Sequence, residues 1–177
     1  MNQNYIFFMM EYLKSPLGFY WEKISFEHSR FIVEWRNELS HLFLEEKKLT
    51  IVDQNQFISQ YFRYDRVDFV LCVNDTRKPI GVFSLCKLNS ASPEIGKLLG
   101  VLEFQGRGIA KKATSCLIDF ALNTLDFNSI SSLTLKENHI NIKLNETLGF
   151  EIISEEFINK KVFLKMLLKK ESFQCVE

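Results

Sequence analysis

The stretch LLGVLEFQGRGIAKKATSCLIDFALNTL, Leu98 to Leu125, constrains this chain more than any other. An apolar, strand-like run enters a turn holding Gly106 and Gly108, two of only seven glycines, and a helical pattern begins at once beyond them. The first N–H groups of a helix have no partner inside it, and the helix dipole adds partial positive charge there. A strand that feeds a glycine turn opening a helix is therefore an anion site, phosphate being the usual guest. Arg107, Lys111 and Lys112 add positive charge beside it. The same glycines also suit a tight turn that only relieves strain.

Two common phosphate motifs are excluded. A P-loop needs Gly-Lys-Ser/Thr, which the chain lacks, and a dinucleotide fingerprint needs Gly or Ala where Lys111 stands. Global charge gives no help, because 22 basic and 22 acidic residues cancel. That balance argues against nucleic acid or an anionic membrane as partner.

A chain of 177 residues is expected to form one domain spanning 1–177. Folding a chain of this size buries about 70% of its surface, and 17 Phe supply the core. Cys72, Cys86, Cys116 and Cys175 have no metal-type or CxxC spacing, and His28, His41 and His139 are scattered. No metal is expected, and the cysteines read as core residues in a reducing compartment. YIFFMM near the start is too short for a signal peptide and nothing approaches a membrane span, so a cytoplasmic protein is expected.

Periodicity gives the elements. GFYWEKIS reads as a strand. Phe31, Trp35, Leu39 and Leu42 mark a helix. A second helix starts at a capping box of Thr50 and Asp53 and buries Phe57, Ile58, Tyr61 and Phe62. Strands follow in DFVLCV, IGVFSLCKL and PEIGKLLGVLEF. The third helix, Gly108 to about Leu125, buries Ile109, Ala113, Cys116, Leu117, Phe120 and Ala121 and exposes Lys111, Lys112, Ser115, Asp119 and Asn123. SISSLTL is a strand, NHINIKLNETLGF a helix capped by Asn138 and ended by Gly149, and FEIISE and KVFLKMLL are strands. The order β-αα-βββ-α-β-α-ββ predicts an α+β fold with a largely antiparallel sheet and one parallel crossover.

FQGRGIAKKATSCLIDFA resembles the coenzyme A pyrophosphate loop of the GNAT N-acetyltransferases, Q/R-x-x-G-x-G/A, with Gln105, Gly108 and Ala110 in the defining positions. ENHINIKLNETLGFE resembles the family's second motif, about 30 residues further on, and the element order is similar from start to finish. The resemblance implies a three-layer α/β/α fold with a splayed central sheet, and acetyl transfer from acetyl-CoA to an amine. Backbone amides of Gln105, Gly106, Arg107, Gly108, Ile109 and Ala110 would hold the pyrophosphate. The strand at Leu99, Val101 and Leu102 would pair with the pantetheine and polarise the thioester carbonyl. Asn138 would lie near the pantetheine arm or serve only as a helix cap.

The resemblance also suggests Glu94 as general base, with Glu103 and His139 as weaker candidates. Asn145 falls where many relatives carry a Tyr proton donor, a proton Asn cannot supply. EWRNELSHLFLEE and FINKKVFLKMLLKKE look like two branches. One acetylates nucleotide-linked 4-amino sugars and the other the N-terminal amines of ribosomal proteins. Trp35-Arg36-Asn37 favours the sugar branch and makes Arg36 and Asn37 candidate acceptor ligands. A non-catalytic acetyl-CoA binder is the alternative from another class, and a homodimer is left open.

Overall fold

The computed structural model describes residues 3–176. Among these, seven strands form one sheet in the order β1-β2-β3-β4-β5-β7-β6. The strands are β1 (Phe19–Lys23), β2 (Arg66–Val73), β3 (Pro79–Cys86), β4 (Glu94–Leu99), β5 (Ser129–Leu135), β6 (Glu151–Ile158) and β7 (Lys161–Lys169). The helices are α1 (Gln3–Phe8), α2 (Ser29–Glu38), α3 (Ile51–Ser59), α4 (Ile109–Asp119) and α5 (His139–Thr147). The expected order holds, with α1 added in front of it. Every neighbouring pair is antiparallel except β4–β5, the one parallel crossover.

Both faces of the sheet are covered at β2, which is apolar almost without interruption, whereas the edge strand β6 is exposed along most of its length. Val67, Phe69 and Leu71 point to one core with Ala113, Leu117 and Phe120 of the α4 side. Val70 and Cys72 point the other way, to Ile32 and Trp35 of α2 and to Tyr61. The result is a three-layer α+β fold. Each fully buried Phe or Leu contributes roughly 1.5–3 kcal/mol.

Local signals set the helix ends. Thr50 Oγ1 accepts the Asp53 N–H at 3.1 Å, and the Asp53 carboxylate accepts the Thr50 N–H at 2.8 Å. Asn138 Oδ1 accepts the Asn141 N–H at 3.1 Å, opening α5, and Gly149 at φ +93° lets the chain leave it.

Three expectations need correction. The third central strand does not run to Phe104: β4 stops at Leu99, and Leu102–Phe104 form a 3-10 turn that leaves the sheet. Phe62 is exposed, because α3 ends at Ser59 and the 3-10 turn Tyr61–Arg63 that follows buries Tyr61 and leaves Phe62 outside. Ser115 is buried, because the C-terminal tail crosses α4 and the Val176 N–H donates to Ser115 Oγ at 2.9 Å. YIFFMM, read only as a failed targeting segment, falls in α1 and the 3-10 turn after it, with Ile6 fully buried.

Candidate active site

β4 is zipped to β3 along its whole length, from Cys86↔Glu94 to Gly81↔Leu99. To β5 it is joined by a single registered pair, Glu94↔Ser131. Beyond that pair the two strands part, leaving a wedge open toward the glycine turn. The Gly100 and Val101 N–H groups both donate to Ile80 O, on the β3 side. Hydrogen-bonding direction alternates along a strand, so Lys97 and Leu99 turn their backbone groups into the wedge. This moves the expected amide pair. Leu99 turns its backbone to the wedge, the Val101 N–H is taken by Ile80 O, and Leu102 stands in solvent at 76% exposure.

The wedge opens onto the turn. Gly106 and Gly108 have φ +72° and +76°, the left-handed region that glycine adopts without strain. Gly108 stands directly before α4, whose Ile109, Ala110 and Lys111 N–H groups have no partner inside the helix. A Cβ placed on either glycine meets nothing within 4 Å, so the turn borders open space. Gln105 Nε2 donates to Leu99 O at 3.1 Å and straps the turn to the end of β4. Gln105, Arg107 and Lys112 are exposed around it. The arrangement fits a pyrophosphate: helix-end donors, no carboxylate in the turn, and a backbone that can be approached.

Inside the wedge is a group the sequence reading passed over. Lys97 Nζ donates to Asn145 Oδ1 at 2.6 Å. Asn145, fully buried on α5, sends its amide hydrogens to Ser132 Oγ at 3.1 Å and Thr134 Oγ1 at 3.2 Å on β5. Asn145 thus tethers a β4 side chain across the gap to β5. Burial pushes the Lys97 ammonium down to about 7. A signal existed in the sequence: Ile95, Lys97 and Leu99 alternate onto one face, so a lysine occupies an inward position of an apolar strand.

Glu94 lies at the closed end of the wedge, ion-paired to Lys87 at 2.7 Å. Along the strand it is about 10 Å from Lys97 and about 16 Å from Leu99. Glu103 is exposed and ion-paired to Lys78 at 3.2 Å, and His139 is exposed at the start of α5. None of the three meets the Lys97–Asn145 group among the hydrogen bonds of the described residues.

On the opposite face of the sheet, α2 lies against the end of β4. A Cβ on Gly100 would sit 2.0 Å from Trp35 Cγ, so only glycine allows the approach. On the same side of the sheet is a cavity of about 210 Å³ whose charged lining is Arg36, Arg66, Glu45, Asp53 and Asp68. Asp68 is buried and already bonded, by Arg66 Nε at 2.8 Å and Tyr61 Oη at 2.7 Å. Arg36 has no carboxylate within ion-pair distance among the described residues, and its guanidinium lies 4.6 Å from the centre of the Phe43 ring. Burial, then the Arg66 charge, lowers its pKa. Asn37 is committed elsewhere: it donates to Leu49 O and accepts from Leu49 N, both at 2.8 Å. It positions the connection between α2 and α3 instead of facing the cavity with a free amide.

Glu22, His28 and Cys72 bring metal-type ligand atoms within 4.8 Å of one another. His28 Nδ1 accepts the Ser25 N–H at 3.0 Å, which assigns the ring proton to Nε2, facing Glu22 at 2.9 Å. Burial pushes the Cys72 thiol up to about 12, away from the thiolate that a metal takes. The donor set is that of a turn cap.

The family model for the acetyltransferase (GNAT) domain matches residues 18–151. The chain belongs to the GNAT acetyltransferase family. Members of that family use acetyl-CoA, and the wedge, turn and α4 all fall within the matched span. This GNAT domain is 28% identical over 123 residues to an uncharacterised protein of Methanocaldococcus jannaschii, covering 68% of the chain and 25% of that protein. It therefore spans about a quarter of the curated relative. Its fold is similar to spermidine N-acetyltransferase from Vibrio cholerae, solved with CoA and spermine (TM-score 0.77, 19% identity, 89% of this chain and 98% of that one). It is also similar to ribosomal-protein-S5-alanine acetyltransferase from Vibrio fischeri (TM-score 0.75, 18% identity, 91% and 98%). At these identities the two structures speak for the fold. Among the described residues, no helix is long and apolar enough to cross a membrane.

Proposed function

We propose that this GNAT domain transfers the acetyl group of acetyl-CoA to the amino group of a nucleotide-linked amino sugar. The glycine turn and the α4 N-terminus hold the pyrophosphate, and the pantetheine lies in the wedge against β4. The Lys97 and Leu99 N–H groups face that arm, where they can polarise the thioester carbonyl. The acceptor nitrogen enters from the Trp35 side of β4 and attacks directly. An amine of pKa near about 8 is partly neutral at pH 7.5 and needs no strong base. Glu94, at its distance, takes the proton only through water. Acetyl-CoA supply and four free thiols suit the cytoplasm.

The observation that carries the acceptor class is Arg36. It is a half-buried guanidinium with no ion-pair partner among the described residues, at a cavity that also holds Arg66, the already bonded Asp68, and the carboxylates of Glu45 and Asp53. A phosphate-bearing acceptor brings the charge that arginine binds in bidentate fashion. Rates for a UDP-linked 4-amino sugar should exceed those for spermidine and for peptides beginning with Ala or Ser. Arg36→Leu should raise KM for the sugar nucleotide about 10–100-fold with kcat little changed, the loss of a charged hydrogen bond. Faster transfer to spermidine or to the peptides, or an Arg36→Leu variant with unchanged KM, overturns the sugar-nucleotide reading.

A further inference from the structure

Lys97 is a half-buried cation with no ion-pair partner among the described residues, in the wedge that separates β4 from β5. Among the described residues its hydrogen-bond partner is Asn145 Oδ1, and Asn145 is fixed from the other side by Ser132 and Thr134. Burial is the sole cause acting on its ammonium: no carboxylate of β4, β5, β7 or α5 contributes, Glu94 included. Extending the Glu94↔Ser131 register places Lys97 across the gap from Thr134.

We infer that Lys97 is the general acid of the transfer, held by Asn145 and donating its proton to the departing CoA sulfur. The inference rests on the acetyl-CoA reading of the wedge. As the acceptor nitrogen attacks the thioester carbonyl carbon, a C–N bond forms and the C–S bond breaks. The electron pair of that bond goes to sulfur, which takes a proton from Lys97 Nζ and leaves the lysine neutral. The acceptor nitrogen loses its surplus proton to solvent, and Lys97 regains one from solvent. The products are an acetamide and free CoA thiol. An ordinary lysine, near about 10.4, is a weaker acid than a thiol near about 8.5, so the transfer would run uphill. A lysine at about 7 reverses that order. Asn145 acts through Lys97 and is a positioning residue.

The test compares the intact chain with Lys97→Met and Lys97→Arg, using acetyl-CoA and the amine that the intact chain acetylates fastest. Three readings are taken: kcat from pH 6 to 9.5, CoA affinity by calorimetry, and thermal stability against pH. Lys97→Met should lower kcat 10–100-fold while CoA affinity stays within threefold. Arginine keeps the charge but cannot release a proton, so Lys97→Arg should be equally slow. The decline of wild-type kcat with rising pH, as the ammonium is lost, should vanish in both variants. Stability supplies the fold check. The folded pKa lies below the unfolded one, so the burial cost is full below about pH 7 and fades toward about pH 10. Wild-type stability should therefore climb across that window, a slope that Lys97→Met lacks. Wild-type kcat and pH profile in Lys97→Met, or recovery of rate in Lys97→Arg, overturns the acid role and leaves the acetyltransferase reading intact. An intact chain that binds acetyl-CoA yet acetylates no amine overturns both.

Discussion

Gly108→Val should weaken CoA binding at least a hundredfold in a protein that still folds. Gly108 holds φ +76° immediately before α4, and a Cβ there meets no other group within 4 Å. Packing is therefore not what the substitution disturbs. A β-branched residue is strained at positive φ by about 1–3 kcal/mol, and relief of that strain rotates the N–H groups opening α4 away from their common target. The isopropyl group also fills the space the phosphate would enter. Each hydrogen bond to a charged group is worth about 1.5–3 kcal/mol. Two such losses amount to about 10²–10⁴-fold in affinity. Calorimetry with CoA reads the affinity, and a melt checks the fold. Unchanged affinity in a folded variant would remove the turn from the binding site.

The second large effect is on the opposite face, where Gly100→Ala forces a methyl group into the Trp35 indole. The new Cβ would lie 2.0 Å from Cγ and 2.1 Å from Cδ2, far inside contact distance. Trp35 has nowhere easy to go: it is 4% exposed and packs with Ile32, Tyr61, Val70 and Leu98. Overpacking of a full core costs about 1–3 kcal/mol and occasionally more, and this overlap belongs at the upper end. For a chain of this size about 3 kcal/mol lowers Tm by roughly 6–12 °C. The partner of the clash can be tested directly. Trp35→Leu alone leaves a cavity, yet combined with Gly100→Ala it should be less damaging than the two single losses added. Strict additivity in that cycle would mean the alanine is accommodated without moving the indole.

The legible parts of the fold are those set by near neighbours in sequence. The Thr50–Asp53 box, the Asn138 cap and the strand–turn–helix at Gly106–Gly108 each depend on residues within one turn of each other, and all were readable. The end of β4 was not, because LLGVLEF is apolar throughout. Just past its end, Gly100 and Val101 share Ile80 O as acceptor and Trp35 packs on Gly100 from far along the chain, contacts no local pattern shows. Ser115 looked like a surface residue until the C-terminal tail crossed it. The same division holds for the site. The turn announces itself through two glycines and a helix. Lys97 shows in sequence only as a lysine at an inward position of an apolar strand, and it acquires its partner when α5 folds across the wedge. Arg36 and Asn37 are adjacent and were read together, but the α2–α3 connection occupies Asn37 and leaves Arg36 at the cavity.

The central claim is that this chain moves an acetyl group from acetyl-CoA to an amine nitrogen across the wedge between β4 and β5. The direct measurement follows CoA thiol release from acetyl-CoA across a panel of amines, with product masses determined in parallel. The account predicts release that depends on the amine, one N-acetylated product per thiol, and loss of both signals in Gly108→Val at limiting acetyl-CoA. Binding of acetyl-CoA with no amine-dependent release, or thiol release with free acetate as the only product, would contradict it.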